Sequence, residues 1–150
     1  MIAFFLEFAD VVRPALKRTP VFVTGGFQTG ASMVKAIKNG STDGIGIARA
    51  TCEEPHLPKY LISGKVLSKV DTKIDYNDFF TCCVLAACQM RRIGFGLETV
   101  DSSNENVVKQ LLHEMHAFFS LLGQKLSEGV VISGNPSLGG PRFPWENYEL

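Results

Sequence analysis

Two short segments of the sequence contain residue types that can bind a phosphate group. In the segment VFVTGGF, Gly25 and Gly26 follow a short apolar run, and in GIGIARA, Ala48 and Arg49 follow another. Glycine has no Cβ, so its amide can turn toward an anion without steric conflict, and arginine adds charge-assisted hydrogen bonds. These residues are therefore candidate phosphate ligands. Tight strand-to-helix turns are the alternative explanation of the glycines.

A strand, a helix and a second strand are predicted to position these segments. Val21 to Val23 is a β-branched and aromatic run, and Ile45 and Ile47 form the next run. Between them, Thr29 is a candidate helix N-cap and Gly40 a candidate C-terminal stop. The helix has apolar residues at Met33, Val34 and Ile37. Two strands joined by such a helix predict parallel pairing with a right-handed crossover, so both carboxyl ends lie at one edge.

Further helices are predicted on either side of this unit. Residues 1–16 have an apolar helical face that ends near Pro14, and another helix is predicted from Tyr60 to Leu67. The resulting order of helix, strand, helix, strand and helix is typical of α/β architecture.

Beyond Leu67 the sequence indicates mainly helical structure. FFTCCVLAACQM is predicted as a buried helix, too short to span a bilayer, and RRIGFGLE as a loop. Ser102 and Glu105 form a candidate capping box before a long amphipathic helix. Its apolar positions are Val108, Leu111, Leu112, Met115, Phe119 and Leu122. GVVIS is a candidate final strand, and the tail from about residue 135 is predicted to be irregular.

The composition is that of an ordinary globular protein without a charge excess. Apolar residues make up 45% of the chain, and 15 basic residues balance 15 acidic ones. Nucleic acids and anionic membranes attract a basic excess, so the zero net charge argues against both partners. Glu7 and Asp10 interrupt the apolar N-terminus and so break any signal-peptide core. The cysteines show no zinc-ligand spacing, and we expect reduced thiols in a soluble, cytoplasmic protein.

Other reactive side chains have simpler explanations than chemistry. His113 and His116 lie in HEMH, which differs from the H-E-x-x-H zinc motif and has no apparent third ligand. The cysteines of CCVLAAC lack the C-x-x-C redox spacing. We therefore expect surface or packing roles for the histidines, core packing for the thiols, and no metal site.

Three motifs, in order, resemble the C-terminal end of the old yellow enzyme family. They are PVFVTGGFQT, DGIGIARA and EEPHLPKYLISG, and they cover roughly residues 1–65. The family pattern has a strand ending T-G-G-F-R-T, a strand ending I-G-x-G-R-P, and a D/N-P-x-L-P-x-K-L-x-x-G segment. The later ACQMRRIGFGLE and the long helix resemble the tail of fungal-type members. Proteins of this family are NADH:flavin oxidoreductases, (βα)8 TIM barrels that hold FMN.

The resemblance implies an FMN-binding oxidoreductase. Gly25, Gly26 and Phe27 would lie in the loop that binds the FMN phosphate. Ala48 and Arg49 would complete the cradle, with the arginine side chain near the phosphate and the edge of the flavin ring. In the full-length family, FMN takes a hydride from NAD(P)H and passes it to an activated alkene, such as an α,β-unsaturated carbonyl. The expected partner is a small-molecule substrate.

The sequence departs from the family pattern beside both loops. Gln28 replaces the usual arginine after T-G-G-F, which removes one positive charge. Ala48 and Ala50 replace a glycine and a proline, and both are small enough to allow close approach to the backbone. Glu54 replaces Asp or Asn before Pro55. These replacements affect the expected affinity for phosphate more than they affect the resemblance to the family.

The resemblance reaches only the last two βα units of a barrel that needs about 250 residues. It implies that residues 1–67 form these units, with the FMN loops, and that residues 68–150 form a mainly helical extension packing on the barrel. The family's substrate-binding and proton-donating residues lie on earlier strands, so no catalytic residue is assigned. We expect a truncated gene product or a gene-model fragment.

Two alternatives to flavin binding by this chain stay open. A non-catalytic fragment or interaction protein would bind no flavin, and would self-associate through the unpaired edges of its sheet and its apolar helix faces. A phosphate-binding barrel without flavin would share the cradle but would leave the EEPHLPK segment unexplained.

Overall fold

The computed structural model describes residues 5–75, 77–141 and 146, and the chain divides into two compact units, Met1–Lys69 and Val70–Leu150. The first unit is a mixture of short helices and a small parallel sheet, an α/β arrangement. Its elements in chain order are α1 (Leu6–Val12), a 3-10 helix (Arg13–Ala15), β1 (Phe22–Thr24), α2 (Gly30–Lys38), β2 (Gly44–Gly46), α3 (Arg49–Glu53) and α4 (Leu57–Ile62).

The two strands pair in parallel, which confirms the prediction from the strand–helix–strand order. The register joins Phe22 to Gly44, Val23 to Ile45 and Thr24 to Gly46. Because α2 connects the strands, both run toward the same edge of the sheet. The segments that follow the two strands therefore begin at that edge.

Both predicted boundary signals of α2 are confirmed. The Thr29 hydroxyl accepts a hydrogen bond from the Ser32 amide at 3.2 Å, as an N-cap side chain does. After the helix, Gly40 has a φ of +74°, which glycine adopts without the steric penalty of a side chain.

One face of the sheet is covered by helices. Val23 of β1 and the half-buried Ile45 of β2 belong to an apolar cluster with Ala9 of α1 and Ala36 of α2. Side chains alternate across a strand, so Phe22 lies on the other face, where 68% of its surface is exposed. The sheet therefore has one packed face and one open face.

Hydrogen bonds fix the starts of the two strands. The Thr42 hydroxyl donates to the carbonyl of Val21 at 2.7 Å, and the Asp43 carboxylate accepts the Val21 amide at 2.7 Å. The Asp43 amide donates to the same Val21 carbonyl at 2.7 Å. These bonds hold the register at the amino-terminal edge, opposite the candidate phosphate loops.

Two predicted helices of this unit have different bounds in the structure. The α-helical turns of the first end at Val12, since proline at position 14 has no amide to continue them, and a 3-10 helix follows. The other predicted helix, from Tyr60 to Leu67, is α4. It begins earlier, at Leu57, because Pro58 is tolerated in the first turn, where amides need no partner within the helix.

The second unit contains two long helices, α5 (Phe79–Gly94) and α6 (Glu105–Ser127), which confirms both predictions. Asp78 caps α5, since its carboxylate accepts the Thr81 amide at 3.0 Å and the Thr81 hydroxyl at 2.6 Å. These bonds stabilise the ionised form and lower the pKa of Asp78. The core between the helices consists of Ile74, Val84, Leu85, Cys88, Val108, Leu111, Met115 and Leu138.

Three predictions for this unit are wrong. The RRIGFGLE segment is not all loop, because α5 continues through Gly94 and the Arg92 side chain then donates to the Glu98 carbonyl at 2.7 Å. The N-cap of α6 is Asn104, whose side chain accepts the Asn106 amide, whereas Ser102 is buried and its carbonyl accepts the Lys73 amide. GVVIS forms no regular strand.

The tail beyond residue 134 has no regular secondary structure through residue 141, as predicted, yet it is firmly attached to the helices. The Cys88 thiol donates to the Pro136 carbonyl at 2.9 Å, and the Glu114 carboxylate accepts the Leu138 amide at 2.6 Å. Glu146 forms an ion pair with Arg91, and both side chains are almost fully buried. Polar contacts from α5 and α6 therefore order an irregular segment.

Within the part of the chain that the structure describes, no helix has the length and apolar character needed to cross a bilayer.

Candidate functional site

The candidate phosphate ligands lie at the carboxyl-terminal edge of the parallel pair. Thr24 and Gly46 are register partners and the last residues of their strands. Gly25 and Ile47 therefore start the two following segments side by side, at the spacing of neighbouring strands, about 4.8 Å. The sequence alone placed both segments after strands. The register shows that they leave the sheet at the same level.

Gly25 and Gly26 adopt backbone conformations that favour glycine. Their φ angles are +106° and +77°, in the region that residues with a side chain seldom adopt. A Cβ on Gly25 would lie 3.7 Å from the Phe5 ring, an ordinary van der Waals distance, so the positive φ rather than crowding favours glycine here. The chain thus turns sharply after β1, and the absence of side chains leaves its backbone open to close approach.

Phe27 has its side chain in the core. Only 7% of its surface is exposed, and its ring belongs to the cluster with Val23 and Ala36. A ligand at this edge can therefore meet the backbone of Phe27 but not its ring. The ring anchors the end of the glycine turn to the packed face of the sheet.

The second segment turns directly into α3. Ala48 is the N-cap residue, with φ −106° and ψ −87°, and Arg49 is the first helical residue. The Ala48 carbonyl accepts the Thr51 amide at 2.9 Å and the Thr51 hydroxyl at 2.6 Å. These bonds fix the turn that contains the backbone of Arg49.

The amino terminus of α2 is closed by the chain itself. The Gly30 amide donates to the Leu67 carbonyl at 2.9 Å, and the Lys69 amide donates to the Gln28 carbonyl at 3.0 Å. Thr29 and Ser68 form an antiparallel bridge between these two bonds. The Gly30 and Ser32 amides at the start of α2 therefore already have acceptors within the chain.

The glycines inside β2 have a packing explanation. A Cβ on Gly44 would overlap the Phe22 ring, and a Cβ on Gly46 would overlap the Thr24 hydroxyl. Side chains of β1 therefore lie across β2 on the open face of the sheet. Sequence reasoning missed Thr24, although its position two residues after Phe22 was a signal that both share a face.

The first unit has an excess of positive charge, which suits an anionic ligand. Residues 1–69 contain nine Lys and Arg against five Asp and Glu, an excess of four positive charges within a neutral chain. Burial and the neighbouring Glu53 raise the pKa of Cys52, so this thiol on α3 adds no negative charge at neutral pH. Backbone amides with one guanidinium form a donor set that fits the phosphate of FMN.

The described residues contain no group of three or more His, Cys, Asp or Glu side chains able to hold a metal ion. His113 and His116 are both exposed on α6. All four cysteines are free thiols.

Three fungal proteins with similar sequences have the same descriptive name. The chain is 35% identical over 106 residues to the NADH-dependent flavin oxidoreductase nadA of Aspergillus parasiticus. It is 42% identical over 73 residues to the NADH-dependent flavin oxidoreductase iccE of Talaromyces variabilis, and 33% identical over 75 residues to iliE of Neonectria sp., which has the same description.

The matches cover 71%, 48% and 50% of this chain, respectively. The chain spans 23%, 18% and 10% of the length of these relatives. No protein-family model matches the sequence. The shared description of the relatives supports the flavin oxidoreductase family as the one to which this chain is related.

Proposed function

We propose that this chain supplies the phosphate anchor of an FMN-dependent oxidoreductase of the old yellow enzyme type. In such an enzyme, FMN bound to the protein transfers hydride from NAD(P)H to an activated alkene, such as an α,β-unsaturated carbonyl. The observation that carries the proposal is the parallel register of Thr24 with Gly46, from which both candidate loops start at one edge. The names of the relatives agree with it.

The role of this chain is to bind and orient the cofactor. The amides of Gly25, Gly26 and Phe27 would hold phosphate oxygens, and the Arg49 guanidinium would balance their charge. The amides are preorganised because the glycine turn is anchored by the buried Phe27 ring. Ala48, whose carbonyl is held by Thr51, keeps the arginine turn in place.

The layering of the first unit is compatible with the last two βα units of a (βα)8 barrel. In such a barrel, helices cover the outer face of the sheet and strand side chains fill the interior. Here α1 and α2 cover one face, and Phe22 and Thr24 lie on the open one. The phosphate site of these barrels lies in the loops after the last two strands. Gly25 and Arg49 follow β1 and β2 of this unit, which supports the proposal.

Titration of the purified chain with FMN tests the proposal. We expect quenching of flavin fluorescence that saturates, with riboflavin binding more weakly because it lacks the phosphate. Arg49→Ala should lower the affinity for FMN at least about ten-fold, since a charge-assisted contact is lost. Arg49→Lys should lower this affinity less. Exposed Lys38→Ala, on α2, is the control and should leave FMN affinity unchanged. Equal affinity of the chain for FMN and riboflavin would contradict a phosphate anchor.

A second candidate is a non-catalytic interaction protein without flavin. The supporting observation is exposed apolar surface on the first unit, with Phe8, Val11 and Phe22 each more than two thirds exposed. Exposed apolar surface beside unpaired strand edges favours self-association. Sedimentation velocity at low micromolar concentration distinguishes the two functions, because this candidate requires oligomers and no flavin. A monomer that binds FMN would exclude it.

A further inference from the structure

Thr24 is a polar residue at the candidate site to which the sequence analysis assigned no role. It ends β1, its side chain is exposed, and the alternation along the strand places it with Phe22 on the open face. Within the described residues, its hydroxyl has no hydrogen bond to another protein group. The hydroxyl is therefore available to a ligand.

Gly46 determines where that hydroxyl lies. A Cβ at position 46 would overlap the Thr24 hydroxyl oxygen, and would approach its Cβ and Cγ2 at 3.0 and 3.2 Å. The threonine side chain therefore crosses over β2 in space that only glycine leaves free. Because threonine is β-branched and restricted at χ1, its hydroxyl is held with little rotational freedom.

The hydroxyl consequently lies between the two candidate loops. Thr24 directly precedes Gly25, and its register partner Gly46 directly precedes Ile47, at the start of the second segment. A ligand whose anionic end contacts both loops would therefore have this pair of residues next to it. The flexible arm of FMN has hydroxyl groups along the ribityl chain and a phosphate at its end, and all of these oxygens accept hydrogen bonds.

We propose that the Thr24 hydroxyl donates a hydrogen bond to the ribityl phosphate arm of the flavin and that Gly46 is required to position it. This inference rests on the proposed function. Thr24 is thus a cofactor-binding residue in addition to the glycine and arginine loops.

Thr24→Val tests the inference because it keeps the β-branched shape and removes only the hydroxyl. We expect FMN affinity to fall about 3- to 10-fold, the effect of one hydrogen bond. Thr24→Ser, which retains a hydroxyl, should bind FMN within about two-fold of the unmodified chain. Urea unfolding and far-UV circular dichroism of both variants show that the fold is retained. A purely structural role would not give rescue by serine with unchanged stability.

Gly46→Ala provides a second, independent test, since it leaves the Thr24 side chain chemically intact but displaces its hydroxyl. We expect weaker FMN binding, and the double variant Thr24→Val/Gly46→Ala should bind no more weakly than Gly46→Ala alone. If the losses in FMN binding free energy of the two single variants add up fully in the double variant, Gly46 does not act by positioning the Thr24 hydroxyl.

The outcomes separate this inference from the proposed function. If the unmodified chain binds FMN and Thr24→Val binds it equally well, the inference is wrong and the phosphate anchor stands. If the unmodified chain binds neither FMN nor riboflavin, the proposed function fails and the inference fails with it. If Thr24→Val lowers the affinity for FMN but not for riboflavin, the Thr24 hydroxyl binds the phosphate. If it lowers the affinity for both, the hydroxyl binds the ribityl hydroxyl groups. Both of these results support the inference.

Discussion

Arg13 and Asp43 form an ion pair in which the guanidinium nitrogen lies 2.5 Å from one carboxylate oxygen. The other carboxylate oxygen accepts the Val21 amide at 2.7 Å. One side chain therefore connects the 3-10 helix after α1, the segment before β1 and the start of β2. It fixes the sheet at the edge opposite the candidate loops.

We predict that Asp43→Ala destabilises the chain more than Arg13→Ala. Loss of the carboxylate removes both the ion pair and the acceptor of the Val21 amide, and should lower the free energy of unfolding by about 1–2 kcal/mol. Loss of the arginine removes an ion pair whose side chains are both 32% exposed, which should lower it by about 1 kcal/mol or less. Urea unfolding measures both. Equal effects would mean that the ion pair, rather than the backbone bond, holds the register.

We predict that Gly25→Ala and Gly40→Ala have similar effects on stability but different effects on flavin binding. Both glycines have positive φ, +106° and +74°, so alanine introduces backbone strain at each, about 1 kcal/mol. Gly40 ends α2, away from the candidate site, and a Cβ there meets nothing within 4 Å. FMN affinity should fall in Gly25→Ala alone, as measured by flavin fluorescence. The same loss in both variants would indicate a general effect of stability.

We predict that Gln89→Glu destabilises the second unit in a pH-dependent manner. Gln89 is fully buried, and its amide group donates to the Val100 carbonyl at 2.7 Å and accepts the Val100 amide at 3.0 Å. At pH 7 a carboxylate would face that carbonyl oxygen, with an expected cost of about 3 kcal/mol or more. A protonated carboxyl can donate to the carbonyl, so the cost relative to the native chain should shrink at pH 4.5.

Gln89→Leu is the matched control for this prediction. It leaves both Val100 groups without a partner at either pH, so its destabilisation, about 2–4 kcal/mol, should not depend on pH. Urea unfolding of the three proteins at pH 7 and pH 4.5 gives the comparison. A cost for Gln89→Glu that stays constant with pH would contradict the assigned pair of hydrogen bonds.

We predict that Cys88 makes the stability of the native chain fall at alkaline pH. Burial raises the pKa of this thiol from 9.0 to about 12, so the unfolded chain loses the proton at lower pH than the folded chain. The protonated thiol makes its full contribution to the free energy of unfolding below pH 9, and this contribution is lost as the pH rises from 9 toward 12. The slope due to this one group is about 1.4 kcal/mol per pH unit.

Cys88→Ala should therefore show a shallower fall in the free energy of unfolding between pH 9 and pH 10.5 than the native chain. Cys83, on the same helix, is a less buried thiol. Alkylation offers a second measurement, because Cys88 in the folded chain should react with iodoacetamide more slowly than Cys83. Rapid modification of Cys88 at pH 8 without unfolding would contradict its burial against the Pro136 carbonyl.

Local signals in the sequence were sufficient for the central elements. Thr29 and Gly40 mark the two ends of α2, because an N-cap side chain and a glycine with positive φ affect only the few residues next to them. The connection between the strands was enough to predict that they are parallel. The sequence was less informative about helix ends whose position depends on residues far away in the chain. Ser102 has the spacing of a cap, yet it is buried with its carbonyl accepting the Lys73 amide, and Asn104 caps α6 instead.

The sequence by itself determined which residues are candidate phosphate ligands, because glycine and arginine types after two apolar runs are visible without a structure. The tertiary structure decided how they are arranged. Phe27 has its ring in the core, and the Thr24 side chain lies over Gly46 of the neighbouring strand. Both facts depend on the register between segments about 20 residues apart, and no local pattern specifies which side chains meet across that register.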